Sequence, residues 1–98
     1  KKMIAFALKC LKAGGTLVYS TCTHTPEENE EVIDFALKNF PVEVEQISLP
    51  LKCRPGIVSW DNKVYDAQVK NCCRIYPQDN DSEGFFVAKL MLKEEIRQ

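Results

Sequence analysis

The stretch from Thr16 to Glu31, TLVYSTCTHTPEENEE, decides the fold. Its beginning is rich in β-branched and aromatic residues, and no charged residue occurs from Thr16 to Thr23. An uncharged run of this kind is typical of a central strand that is covered on both faces, as in parallel sheets. Cys22 follows the run at once. Ligands of open α/β sheets bind just beyond the carboxyl ends of the strands, so the position of Cys22 indicates a thiol at a functional edge.

The second half of the stretch predicts the start of a helix. Thr25 is a suitable N-cap, Pro26 fits the first helical position, and Glu28 completes a capping box. The acidic residues near this end favour the positive pole of the helix dipole. Apolar residues keep helical spacing as far as Phe40, and Pro41 is expected to end the helix.

The flanking sequence predicts one more helix and several strands. Helical spacing covers Met3 to Lys12, and Gly14-Gly15 suits a left-handed C-cap. Strand patterns occur in VEVEQISL (Val42 to Leu49), in NCCRIYP and in FFVAKLML, and IVSW-DN-KVYD predicts a short hairpin on an Asp61-Asn62 turn. The predicted order is helix, strand, helix, strand, loop, strand, strand. It starts in the middle of a strand–helix–strand motif, because no strand precedes the first helix. It predicts the back half of an open α/β sheet with an antiparallel strand pair at its end.

Composition limits the classes of function. The chain has 98 residues, enough for one small domain, and a net charge of −1. A segment that binds nucleic acid by itself should be basic, because phosphate contacts supply most of the affinity. Any such affinity would therefore come mainly from residues outside this segment. Neither a secretory signal nor a membrane span is predicted, because the first apolar stretch is short and is interrupted by Lys9 and Lys12.

The odd count of five cysteines, with no secretory signal predicted, favours free thiols in a reducing cytosol, and the lack of a C-x-x-C pair predicts no metal site. From the residues alone, Cys22 is either a nucleophile or an inert buried thiol. His24 is either a base for that nucleophile or a solvated loop residue. Arg74 and Lys70 flank a predicted strand, where they either contact phosphate or, as the commoner case, are solvated surface residues.

Two separated segments carry a family resemblance. LKAGGTLVYSTC, continuing into YSTCTHTPEENEEVI, resembles the Thr-Cys motif of the RNA 5-methylcytosine methyltransferases, the RsmB-like family named for its Nol1/Nop2/Sun domain. RIYPQDNDSEGFFVAKL resembles the terminal block of that family, with Gln78 where histidine is usual. The resemblance implies a Rossmann-like class I methyltransferase sheet. This chain would be its C-terminal half, with Arg74 and the segment from Gly84 to Phe86 at the antiparallel end.

The resemblance also implies a reaction. In that family the cysteine of the Thr-Cys motif attacks carbon 6 of cytosine, and carbon 5 then takes a methyl group from S-adenosylmethionine. Cys22 is the matching residue here. The neighbouring motif residues are expected to support the turn and the helix start, or to contact the substrate; they are Thr21, Thr23, Glu28, Asn29 and Glu30.

Other family motifs do not occur in the sequence: the glycine-rich adenosylmethionine loop, the acidic residue for the ribose, and the Asp-Ala-Pro-Cys motif. We therefore expect residues 1–98 to be the C-terminal portion of a single catalytic domain, with S-adenosylmethionine bound mainly by residues outside the chain. The expected partners are RNA (tRNA before rRNA) and the upstream part of the same enzyme or a complementary chain, and no membrane. The expected location is the cytoplasm, or the nucleus or nucleolus of a eukaryote. The alternatives are a non-catalytic fragment or subunit that only completes the fold, and a thiol-based regulatory protein.

Overall fold

The computed structural model describes residues 2–23, 25–48, 52–79 and 84–94. It contains two α-helices, α1 (Lys2–Lys9) and α2 (Glu30–Asn39). The strands are β1 (Thr16–Thr21), β2 (Val42–Glu45), β3 (Arg54–Pro55), β4 (Ser59–Trp60), β5 (Lys63–Val64), β6 (Cys73–Ile75) and β7 (Phe85–Leu92). Short 3-10 turns cover Pro26–Glu28, Ala67–Asn71 and Pro77–Asp79. The strands predicted in NCCRIYP and FFVAKLML are confirmed as β6 and β7.

Strand β7 is the centre of a five-stranded sheet. Strand β1 runs antiparallel along one edge of it, with Thr16 opposite Met91 and Thr21 opposite Phe86. Strands β2 and β6 pair antiparallel with its other edge, and β3 continues the sheet beyond β6. Every second side chain of β7 is fully buried, as expected for a strand with one face on the core; these residues are Phe86, Ala88, Leu90 and Leu92.

The two helices cover this core. Helix α1 buries Ile4 and Leu8, and helix α2 buries Val32, Ile33 and Ala36 in the same cluster as the buried side chains of β7. The helical spacing read from the sequence therefore marks the buried faces of both helices. None of the described helices is long and apolar enough to cross a membrane.

The prediction that β1 is covered on both faces is wrong for this chain. Its residues alternate between exposed and half-buried, and Val18 is 60% exposed. In the described ranges β1 pairs with β7 alone, so its other edge has no strand beside it. Met3 and Phe6 of α1 are 86% and 72% exposed, and Met3 and Val18 line the same groove. The uncharged run thus reflects a surface that nothing in the described part of the chain covers.

The glycine pair has a different role from the predicted helix cap. Helix α1 ends at Lys9, before the predicted end at Lys12. Gly14 has φ +84° in a turn that Gly15 closes by donating its N–H to the carbonyl of Lys12 at 2.8 Å. Gly14 N–H then donates to the carbonyl of Leu92 at 2.7 Å. Pairing with the end of β7 therefore fixes this turn, which leads the chain into β1.

The predicted capping box also does not form. Thr25 makes no side-chain cap hydrogen bond, Pro26–Glu28 is a 3-10 turn, and α2 begins at Glu30. The Thr25 hydroxyl instead lies 3.2 Å from that of Thr23, so its polar contact is with the preceding loop. The predicted end of the helix is confirmed, because α2 stops at Asn39.

Between β2 and β6 the chain forms a tight hairpin. Ser59 lies opposite Val64 and Trp60 opposite Lys63, as the sequence predicts. Asp61 and Asn62 have φ of 50° and 63°, the left-handed values of a type I′ turn. The strand predicted from Val42 to Leu49 is shorter than expected and ends at Glu45, and Leu49 lies outside the described residues.

Candidate functional site

Cys22 is exposed and directly follows the last residue of β1. It lies in an open cleft of about 570 Å³ between the end of β1 and the start of the α2 region. The cleft is lined by Tyr19, Ser20, Thr21, Cys22, Thr23, Glu27, Glu28 and Val32. In this chain the thiol is therefore accessible to a ligand, and the interpretation of Cys22 as a buried thiol is wrong.

The side chain of Asn29 holds the loop on both sides of Cys22. The Thr21 hydroxyl donates to Asn29 Oδ1 at 2.5 Å, and Asn29 Nδ2 donates to the carbonyl of Thr23 at 2.8 Å. Asn29 is fully buried at the N-terminus of α2, so its amide is fixed by packing as well as by hydrogen bonds. The structure thus brings Thr21, Thr23 and Asn29 together around the thiol. We call this arrangement the Asn29 clamp.

Glu28 contributes to the cleft in another way. Its backbone carbonyl accepts the phenolic hydrogen of Tyr19 at 2.7 Å, which ties β1 to the 3-10 turn. Burial, together with the charge of Glu28, raises the pKa of Tyr19, so this hydroxyl remains a donor at neutral pH. Glu27 and Glu28 are the charged residues of the cleft lining, and no basic side chain is among the described residues that form it. His24, which the sequence left as either a base or a solvated loop residue, lies outside the described residues.

A buried ion pair that the sequence reasoning missed lies behind the clamp. Arg74 of β6 donates through Nη2 to Glu30 Oε1 at 2.7 Å and through Nε to Glu30 Oε2. Glu30 is fully buried and Arg74 is 2% exposed. Oε2 of Glu30 also accepts the backbone N–H of Ile57 at 2.8 Å, and Arg74 Nη1 donates to the Tyr76 hydroxyl at 3.3 Å. A bidentate pair with additional hydrogen bonds meets the requirement for burying two charges.

The expectation that Arg74 is a solvated surface residue is therefore wrong. Burial lowers the pKa of Arg74, but the hydrogen bonds and charge of Glu30 outweigh it and raise that pKa above its usual value. The guanidinium is thus charged, shielded from solvent and paired with Glu30. Because it is buried in this pair, it cannot contact a phosphate group. No local signal identifies this pair, because 44 residues separate its members.

The acidic residues of the α2 region anchor the hairpin segment. Four carboxylates at helical spacing, Glu27, Glu30, Glu31 and Asp34, each accept a hydrogen bond from the part of the chain between Ile57 and Asp66. The donors are Ile57 N–H, Trp60 Nε1, Lys63 Nζ and Asp66 N–H, and all four distances lie between 2.7 and 2.8 Å. The sequence reasoning assigned the acids near the N-terminus of the helix to its dipole and did not consider Asp34. Their spacing of three and four residues is the signal for one shared face.

The remaining cysteines differ from Cys22. Cys72 and Cys73 are buried, whereas Cys10 and Cys53 are exposed and do not end a strand. Burial, with a smaller effect of the Glu30 carboxylate, raises the pKa of Cys72 to about 12. Burial, with a hydrogen bond to Cys53, raises that of Cys73 to about 11. Across the described ranges, no group of His, Cys, Asp and Glu side chains is arranged to hold a metal ion.

S-adenosylmethionine does not fit the described residues by themselves. A nucleotide cofactor needs a glycine-rich turn after a strand, so that the backbone can approach it closely. Gly14 and Gly15 instead precede β1 and pair with Leu92. Gly56 follows β3, but the carbonyl oxygen of Val69 lies 2.2 Å from where a Cβ would be, so protein backbone already occupies that space.

These features agree with comparisons of the chain with known proteins. The sequence model of the family described as 16S rRNA methyltransferase RsmB/F matches residues 1–91. The chain belongs to this family. The resemblance seen in the Thr-Cys segment is thereby confirmed, and so is the methyltransferase class of the fold.

Individual relatives match the chain over most of its length. It is 48% identical over 90 residues to the tRNA (cytosine(49)-C(5))-methyltransferase of Pyrococcus abyssi, a match that covers 92% of this chain and 29% of that protein. It is 42% identical over 80 residues to the 25S rRNA (cytosine-C(5))-methyltransferase nop2 of Schizosaccharomyces pombe, covering 81% of this chain and 13% of that one. The chain therefore spans less than a third of the length of these relatives.

Two solved structures share the fold. A methyltransferase homolog protein from Pyrococcus horikoshii superposes with a TM-score of 0.85 at 38% identity, covering 93% of this chain and 29% of that one. NSun6 from Pyrococcus horikoshii with SFG superposes with a TM-score of 0.75 at 35% identity, covering 94% of this chain and 21% of that one. The antiparallel sheet around β7 is thus part of a known methyltransferase architecture.

Proposed function

We propose that this chain is the C-terminal portion of the catalytic domain of an S-adenosylmethionine-dependent RNA (cytosine-5) methyltransferase, and that Cys22 is its nucleophile. The observation that carries the proposal is the placement of the thiol. Cys22 is exposed in a cleft, at the end of β1, and the Asn29 clamp holds the backbone on either side of it. Covalent catalysis needs such a nucleophile on a rigid support.

The chemistry assigned to Cys22 consists of an addition and an elimination. The thiolate forms a bond from Sγ to carbon 6 of cytosine, and the electron pair of the ring double bond moves to carbon 5. That carbon takes a methyl group, which S-adenosylmethionine bound outside this chain would supply. A base then removes the proton from carbon 5, the double bond re-forms, and Cys22 leaves as the thiolate. Because the sulfur is exposed at the end of a strand, the cytosine can approach it and the methylated product can leave.

The electrostatics of the cleft define what the rest of the enzyme has to provide. A thiolate is stabilised by nearby positive charge. Glu27 and Glu28 line the cleft, and its described lining includes no cation. We therefore propose that the basic groups, the cofactor site and the catalytic base lie in residues outside those described, on the upstream part of the same enzyme or on a complementary chain.

The uncovered apolar surface supports this completion. Met3 and Val18, both exposed, line a groove of about 400 Å³ between α1 and β1, and β1 has a free edge in the described ranges. An apolar patch beside an unpaired strand edge is costly in water and is normally covered. The chain also spans only 29% of its relative from P. abyssi, so the relative has enough additional residues to cover this surface.

We propose tRNA as the substrate before rRNA. The support is the 48% identity to a relative named for tRNA, compared with 42% to one named for 25S rRNA. A nucleophilic thiol must also stay reduced, which favours an intracellular setting, and we propose the cytoplasm.

Covalent trapping tests the proposal. The enzyme that carries this chain is incubated with S-adenosylmethionine and RNA that has 5-fluorocytosine at the target, and the adduct is mapped by mass spectrometry. Fluorine at carbon 5 cannot leave as a proton, so the intermediate should persist on Cys22. Cys22→Ser should abolish the adduct, and Cys10→Ser, which changes another exposed thiol, should retain it. An enzyme that binds RNA and cofactor but forms no adduct would favour the non-catalytic alternative.

A further inference from the structure

The hairpin formed by β4 and β5 presents an aromatic side chain beside the Cys22 cleft. Trp60 is 45% exposed, and its indole N–H donates to Glu27 Oε1 at 2.8 Å. Glu27 is part of the cleft lining. One hydrogen bond therefore links the indole ring to the rim of the site that holds the proposed nucleophile.

The ring is held in place by the hairpin and its anchors. A two-stranded hairpin alone is only marginally stable in water. Here the type I′ turn at Asp61 and Asn62 fixes its shape, and Lys63, which lies opposite Trp60, donates to Glu31 at 2.8 Å. Trp60 and Lys63, which are cross-strand neighbours on one face of the hairpin, are thus both hydrogen-bonded to the α2 region. An ordered ring loses little conformational freedom when a second flat group stacks on it.

The charges around Trp60 indicate which part of a nucleic acid can approach it. Glu27 and Glu28 would repel phosphate groups at this rim. The neutral flat face of a base has no such penalty, and an exposed indole is a suitable surface for it, since aromatic side chains stack on unpaired bases of any sequence.

We propose that Trp60 stacks on an unpaired RNA base next to the target cytosine and so positions the strand over Cys22. This inference rests on the proposed function for the identity of the substrate. It assigns Trp60 a role in substrate binding, while the backbone phosphates are held elsewhere in the enzyme.

Matched variants separate stacking from anchoring. Trp60→Phe and Trp60→Leu both lose the hydrogen bond to Glu27, but only Trp60→Phe keeps an aromatic ring. Equilibrium binding of the enzyme that carries this chain is measured with target RNA in which the site is unpaired, and again with a fully paired duplex. Trp60→Leu should weaken binding of the unpaired RNA by about 10- to 100-fold, and Trp60→Phe should recover most of the loss. Val64→Ala, a change at an exposed residue of the same hairpin, should bind like the wild type.

Methyl transfer is assayed in parallel, so that the two proposals can fail separately. If the wild type methylates RNA but Trp60→Leu binds it equally well, the stacking is overturned and the proposed function stands. If Trp60→Leu and Trp60→Phe are equally impaired, Trp60 is only an anchor for Glu27 and the stacking is again overturned. If the variants differ as expected but no methylation or Cys22 adduct occurs, the stacking is supported and the proposed function is overturned.

Discussion

Replacing Glu30 by glutamine tests whether the buried ion pair supports the site. The glutamine oxygen can take the place of Oε2 and keep the bonds from Ile57 N–H and Arg74 Nε. Its NH₂ group then takes the place of Oε1, where it faces the Nη2 donor of Arg74. The variant therefore places a donor against a donor and leaves the charge of Arg74 buried without a counter-charge.

The expected cost follows from the burial of both groups. Glu30 is fully buried and Arg74 is 2% exposed, so solvent cannot compensate for the lost partner. Removal of one member of a buried pair typically costs about 3–5 kcal/mol. We expect Glu30→Gln to lie near the lower end, about 3 kcal/mol, and Glu30→Ala near the upper end, because alanine also leaves the N–H of Ile57 without an acceptor. Domains are stable by only about 5–15 kcal/mol in total, so either loss is large.

Urea unfolding of the enzyme that carries this chain measures the effect. Glu31→Gln is the matched control, because it makes the same change one residue further along, where Glu31 is half-buried and its partner Lys63 is exposed, and it should cost less. A double variant, Glu30→Met with Arg74→Met, removes both charges and should be more stable than Glu30→Gln by over about 1 kcal/mol. The reasoning is refuted if Glu30→Gln loses less than about 1 kcal/mol, or if the double variant is no more stable than the single one.

Three further changes address the clamp, the hairpin and the buried thiols. Asn29→Ala removes the bonds of Asn29 to the Thr21 hydroxyl and the Thr23 carbonyl, and it should lower kcat by about 10- to 100-fold with little change in RNA affinity; an unchanged single-turnover rate would contradict this. Asn62→Val forces a β-branched residue to φ 63° at a cost of about 1–2 kcal/mol, so hydrogen exchange of the hairpin should accelerate, whereas Asn62→Gly should not change it. Iodoacetamide at pH 8 should modify Cys22 but not Cys72 until the protein unfolds. Folding raises the pKa of Cys72 from 9.0 to about 12, so the contribution of Cys72 to the free energy of unfolding should be constant below pH 9 and fall between pH 9 and 12; a contribution that stays flat there would contradict the burial.

Sequence patterns predicted the elements that depend on a few neighbouring residues. The alternation in FFVAKLML marks β7, because the strand has one face on the core, and Asp61-Asn62 predicts the turn, because both residues tolerate left-handed backbone. The position of Cys22 after an uncharged run indicated a thiol at the edge of the sheet but left open whether it is buried, and the structure shows it exposed at the end of β1. Each of these depends on a few neighbouring residues.

Elements that depend on distant partners were missed or misplaced. Thr25 and Glu28 have the pattern of a capping box. The side chain of Asn29, however, bonds to the loop that carries Cys22, and the helix begins only at the next residue. The pairing of Glu30 with Arg74 leaves no trace in local spacing. In the described part of the chain β1 has a free edge and Val18 is exposed, so the uncharged run from Thr16 to Thr21 predicted a burial that these residues do not provide.

The position of Cys22 and the buried ion pair are parts of one arrangement, because Asn29 and Glu30 are neighbours in the chain. Asn29 bonds to the preceding loop that carries Cys22, and Glu30 bonds to Arg74 of β6, which pairs with β7. Strand β7 in turn pairs with β1, which carries Cys22. Two connections to the rest of the fold therefore position the thiol. One is the backbone of β1, and the other is the side chain of Asn29. A buried ion pair is weak support for stability as such, since apolar residues of similar size often replace it without loss. Its bidentate geometry, however, fixes where α2 begins relative to the sheet, and that fixes where the clamp closes. This accounts for a charged pair in the core of so short a chain: it sets the position of Cys22, the proposed nucleophile.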